Sequence, residues 1–144
     1  MLVHQILKSK PSGEIFTITP GTRVAEAAAT MSEKRIGAVV VSSDGTTPDG
    51  ILSERDIVRE LGKRGASCLD DTVDTMMTAD LVTCRGDESG EQVLGKMTEG
   101  RFRHLPVMDG QKMIGLISIG DVVKARLSEL AMEKESLEGM IMGH

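Results

Sequence analysis

The chain has 144 residues, 40% of them hydrophobic and 27% charged, the balance of an ordinary compact globular domain. A net charge of −5 gives no general attraction to nucleic acid or anionic membranes, so those partners are not expected. Phe16 and Phe102 are the only aromatics, too few for a stacking platform, and no apolar run approaches the ~18 residues of a membrane span.

The first eight residues, Met1 to Lys8, lack a basic start leading into a long apolar run, so a cytoplasmic chain without a signal peptide is expected. A short strand from Ile15 to Ile18 meets a Pro20-Gly21 turn. Val24, Ala27, Ala28 and Met31 then recur at helical spacing. An apolar strand follows from Ile36 to Val41, a polar turn from Ser42 to Gly50, and a strand ending at Ser53, where a second helix begins.

The second half repeats this series. Met31 falls on Met97, and Val39-Val40-Val41 on Leu105-Pro106-Val107. After one residue is lost from a turn, Gly50-Ile51-Leu52-Ser53-Glu54-Arg55-Asp56 falls on Gly115-Leu116-Ile117-Ser118-Ile119-Gly120-Asp121. The lead-ins also agree, Val3 with Ile6-Leu7 resembling Val73 with Met76-Met77. Strands at Leu81 to Cys84 and Leu105 to Met108 are expected, with a helix between them opened by the capping box Ser89-x-x-Gln92. The boundaries are read as 1–64 for the first repeat with its lead-in, 65–71 for a linker, 72–126 for the second repeat and 127–144 for a helical extension. One such unit is small for independent stability. The expected fold is therefore mixed α/β, two βαββα units sharing a core around a pseudo-twofold axis, with equivalent clefts between the halves.

The chemical signal is Ser53-x-x-Asp56, repeated as Ser118-x-x-Asp121. Each opens a helix, so each reads equally as a capping box. The same place offers free amides and a positive dipole end for phosphate. A carboxylate there can accept from both hydroxyls of a ribose, and a serine can serve ribose or phosphate.

These doubled motifs, together with Arg103-His104-Leu105-Pro106-Val107 before the last hairpin, resemble tandem cystathionine-beta-synthase (CBS) domains, a Bateman module of the small stand-alone bacterial kind. The resemblance implies a regulatory sensor for an adenine ligand, AMP, ADP, ATP, NAD or S-adenosylmethionine, bound in the clefts. It also implies a homodimer, whose regulated protein partner the sequence does not name. By the same resemblance Asp56 and Asp121 hold ribose hydroxyls, and Ser53 and Ser118 contact ribose or phosphate. Ile36, Gly37, Ala38 and Val39 line an adenine slot. In the second copy Phe102, Arg103, His104 and Leu105 take that place, with Pro106 beside them. Arg55, Arg103 and His104 supply positive charge, and Arg103 and His104 rank above Arg59, Arg35 and Arg101. Relatives often carry an aromatic where Ile57 stands, so stacking is not expected in the first cleft.

Catalysis and metal binding are not expected. Cys68, Cys84, His4, His104 and His144 are scattered, giving neither a metal cluster nor a disulfide pair. No Walker-type loop is present, and His104, the one acid–base candidate, has no nucleophile near it in sequence. A structural dimerisation module with degenerate clefts is the alternative. Val123, Leu127, Leu130, Leu137 and Ile141 mark a helical stripe interrupted by Lys134, suited to a partner helix or to folding back on the domain. That helix is expected to reach about Glu138 and to fray through Gly139 and Gly143.

Overall fold

The computed structural model describes residues 1–10 and 15–141. Its elements run α1 (Val3–Lys8), β1 (Thr17–Ile18), α2 (Val24–Lys34), β2 (Ala38–Val41), β3 (Gly50–Ser53) and α3 (Glu54–Arg64). A 3₁₀ segment (Gly65–Asp70) leads to α4 (Val73–Met76), β4 (Cys84–Arg85), α5 (Gly90–Gly100), β5 (His104–Asp109), β6 (Lys112–Ser118) and α6 (Ile119–Ile141). The mixed α/β class and the repeated βαββα series are present.

Each copy builds one three-stranded sheet, β1-β2-β3 and β4-β5-β6. Strand β1 runs parallel to β2 with Thr17 opposite Val40, as β4 runs parallel to β5 with Cys84 opposite Val107. Strands β2 and β3 are antiparallel, with Ala38 opposite Ser53. The first strand of each copy is shorter than expected because only two residues form a ladder. Phe16 and Ile18 still accept from the amides of Val40 and Ser42, at 3.1 and 2.9 Å.

The helices follow their apolar stripes. Val24, Ala27 and Met31 of α2 are buried, as are Val93 and Met97 of α5. Both helices end on an arginine in the left-handed region, Arg35 (φ 55°) and Arg101 (φ 59°), where glycine is the usual residue. Helix α6 continues through Gly139 to Ile141, three residues beyond the expected end; Gly143 and His144 lie outside the described residues. A glycine within a helix is tolerated at a modest cost.

Two compact units result, and each sequence copy gives its lead-in to the other copy's unit. Helix α1 belongs to one unit with β4, α5, β5, the end of β6 and α6; helix α4 belongs to the other with β1, α2, β2, β3, α3 and the start of β6. The seating is the same in both. The amide of Val3 donates to the carbonyl of Glu88 (2.9 Å) and that of Gly90 to Met1 (3.0 Å). In the other unit Val73 donates to Thr22 (2.8 Å) and Val24 to Asp71 (2.8 Å). Val3 and Ile6 are thereby buried with Val93, Leu105 and Ile117, and Val73 and Met76 with Val24, Val39 and Leu52.

Candidate functional site

Each Ser-x-x-Asp motif stands where a strand hands over to a helix. Ser53 caps α3: its hydroxyl accepts from the Asp56 amide (3.3 Å), while Asp56 Oδ2 accepts from the Ser53 amide (2.9 Å) and hydroxyl (3.0 Å). Ser118 and Asp121 repeat the two amide bonds, Ser118 N–H to Asp121 Oδ2 at 2.9 Å and Asp121 N–H to Ser118 Oγ at 3.1 Å. The capping role is therefore real in both copies. It leaves the second role open, because a cap can also face a ligand.

The adenine-slot residues come to the same place through the backbone. Gly37 accepts from the amide of Glu54 (2.9 Å), and Arg103 from that of Ile119 (2.8 Å). Gly37, Ala38, Ser53 and Asp56 are thus neighbours in one unit, and Arg103, His104, Ser118 and Asp121 in the other. At each helix start the first and third amides are taken by protein acceptors. Those of Arg55 and Gly120 have none among the described residues, and a free amide at a helix start is a donor for an anion.

Burial separates the remaining candidates. Ala38, Leu105 and Pro106 are buried, and Leu105 belongs to a core cluster. Ile36, Gly37 and His104 are half-buried. Arg55 and Arg103 point their charge into exposed positions.

The charges actually placed on the two carboxylates are others. Arg59 Nη2 lies 3.1 Å from Asp56 Oδ1, and Lys10 Nζ lies 3.0 Å from Asp121 Oδ2 while also donating to the Leu116 carbonyl (3.0 Å). Arg59 was legible as a neighbour three positions along a helix. Lys10 carried no signal, being at the far end of the chain from Asp121. A cavity of about 160 Å³ opens beside this pair, bordered by Ser9, Lys10, Asp121, Lys124 and Ser128. Pockets for whole drug-sized ligands run to ~300–1,000 Å³, so this one suits part of a ligand, such as a phosphate arm.

Nucleophilic chemistry finds little support in the same unit. Burial pushes the Cys84 thiol up to about 11, with the charge of Glu88 acting the same way, so the thiol is neutral at pH 7. Among the described residues no group of three or more His, Cys, Asp or Glu side chains is placed to hold a metal ion, and no helix is long and apolar enough to cross a membrane.

Comparison with known proteins agrees with this geometry. The chain matches the CBS domain family over residues 3–63 and 73–128. A putative signal-transduction protein with CBS domains from Burkholderia ambifaria is 42% identical, with a TM-score of 0.83 over 89% of this chain and 95% of that one. A CBS-domain containing protein from Agrobacterium tumefaciens is 40% identical, with a TM-score of 0.83 over 88% of this chain and 99% of that one. CBSX2, solved in complex with AMP, is 28% identical, with a TM-score of 0.72 over 88% of this chain and 96% of that one. With both repeats matched and the βαββα series built twice, the chain belongs to the CBS-domain family as a tandem pair.

Proposed function

We propose that this CBS pair is a non-catalytic regulatory module that binds an adenine nucleotide, AMP, ADP, ATP or NAD, at its two Ser-x-x-Asp helix starts. The observation that carries the reading is the doubled juxtaposition of a ribose-type acceptor, Asp56 or Asp121, with a free helix-start amide, Arg55 or Gly120. The AMP complex of CBSX2 supports the ligand class. In this reading Ile36, Gly37 and Ala38 receive the base in one repeat, and Arg103, His104, Leu105 and Pro106 in the other. The repeats are 1–64 and 72–126, joined by 65–71 and followed by the extension 127–144, and the working form is a homodimer. Free, buried Cys68 and Cys84 support a reducing compartment, the cytoplasm.

The two sites are expected to differ. Arg59 lies on the same helix as Asp56 and is half exposed, so it can swing off the carboxylate at little cost. Lys10 is held by two acceptors and sits beside a cavity with Lys124, which favours a phosphate arm at the Asp121 site. One observation favours a second reading, a dimerisation scaffold with degenerate sites: both carboxylates already have a protein cation.

Thermal unfolding against AMP, ADP, ATP and NAD tests the choice. A ligand at about a hundred times its Kd adds about 2.7 kcal/mol of stability, which raises Tm by several degrees. The expected result is a shift with one of these ligands that is reduced in Asp56→Ala or Asp121→Ala, each compared with its own ligand-free Tm. No shift with any of them, from ligand-free folded protein, moves the assignment to the scaffold.

A further inference from the structure

Helix α6 outruns the unit on which it begins. Val122 and Ala125 are buried, and Glu129 is tied to the N-terminal amine at 3.1 Å. From Leu130 to Glu138 every residue is exposed, and Ile141 is 82% exposed. The family match stops at residue 128, so this end lies outside the shared fold. A free end of about 12 residues, roughly 18 Å long, is at the lower limit for a helix that holds itself in water. Gly139 weakens it further.

The exposed positions are ordered. Val123, Leu127, Leu130, Lys134, Leu137 and Ile141 follow one another at alternating steps of four and three, the seam of a two-stranded coil. Every apolar member of that seam is 44% or more exposed. We propose that the seam is covered by the same seam of a second copy, running antiparallel. This rests on the homodimer part of the reading above and gives it an interface and a direction.

Lys134 sets the direction. In a parallel pair like layers meet, and Lys134 would face the partner's Lys134 inside the seam. The acidic ends, with Glu133, Glu135 and Glu138, would also lie side by side. Antiparallel pairing places Leu127 on the partner's Leu137, Val123 on the partner's Ile141, and Leu130 on the partner's Lys134. The lysine stem then covers leucine while its ammonium reaches water. At the flanks Lys124 meets the partner's Glu138, twice by symmetry, against one repulsion between Glu133 and the partner's Glu133. The balance of charge favours the antiparallel form.

Cysteine cross-linking of the full chain tests this, with Cys68 and Cys84 buried at 0% and 2% exposure and therefore silent. Leu127→Cys and Leu137→Cys, mixed and mildly oxidised, should give a covalent dimer, whereas neither variant alone should cross-link to itself. Sedimentation should find the unmodified chain dimeric and a Leu130→Lys/Leu137→Lys variant at least about tenfold weaker in association. Self-cross-linking of either single variant, a dimer undisturbed by the two lysines, or a monomeric unmodified chain overturns the proposal. Tm shifts with AMP on the same variants report the nucleotide reading separately, so one can fail while the other stands.

Discussion

Among the described residues three serines begin helices, and they differ in the side chain that completes the cap. Ser89 accepts from the Gln92 amide at 3.1 Å and gives its own amide to the neutral Gln92 side chain, whereas the partner of Ser53 and of Ser118 in the same box is a carboxylate. Ser→Ala at any of the three should lower stability by about 1 kcal/mol, measured by urea unfolding. Only Ser53→Ala and Ser118→Ala should also reduce the nucleotide-induced Tm shift; an undiminished shift in both would leave the serines as caps alone. The sequence displayed both roles without separating them, because a capping box and a ribose site use the same residue types at the same spacing. Family position favours Arg103 and His104 over Arg59, but it does not show which side of α3 the Arg59 side chain leaves. Lys10 could not be read at all: its pairing with Asp121 depends on where α1 docks.

That docking also explains a feature of the elements. Gly50 and Gly115 occupy matching positions in β3 and β6, and each is close against the end of a lead-in. A Cβ on Gly50 would collide with the Met77 side chain and come within 2.9 Å of the Thr78 carbonyl; one on Gly115 would come within 2.7 Å of the Leu7 side chain. The glycine that opens each motif is therefore kept small by the helix received from the other copy. Gly50→Ala meets backbone, which cannot turn aside, and should cost about 1–3 kcal/mol. Gly115→Ala meets only a flexible leucine and should cost less. Chemical denaturation of the two variants checks the order, and equal costs would mean that Leu7 is as fixed as the backbone beside Gly50. Helices α2 and α5 were legible because a single apolar stripe shows at their spacing. The first strands are shorter than their apolar runs, since residues such as Ile15 and Leu81 precede a two-residue ladder without joining it. The left-handed Arg35 and Arg101 were invisible, because nothing in an arginine's identity signals that conformation.

At the scale of the molecule the repeat was legible but the exchange of lead-ins was not. Internal alignment compares residue types, whereas the unit in which a helix is buried depends on the path of the chain between copies. The exchange concentrates an acid-sensitive contact at one seat. Glu88 accepts the Val3 amide on its carbonyl, while its carboxylate takes the Lys96 ammonium (2.7 Å) and the Arg85 amide (2.6 Å). Burial alone would raise its pKa, but the bonds from Lys96 and Arg85 outweigh burial and hold it below the ordinary 4.5. Asp44 is also held low, by the amides of Thr47 and then Thr46. A carboxylate with a depressed folded-state pKa stabilises the fold above its unfolded pKa, and that contribution is lost as pH falls through the folded value. Acid also neutralises 22 carboxyls and leaves 17 lysines and arginines to repel one another, a general effect that any variant shares. The specific part can be isolated. In urea unfolding across pH, the stability gap between the unmodified chain and Glu88→Gln should be widest above about pH 4.5 and close as pH drops below it. A gap that stays constant with pH would mean that Glu88 holds α1 through packing and its backbone carbonyl, with no contribution from its charge.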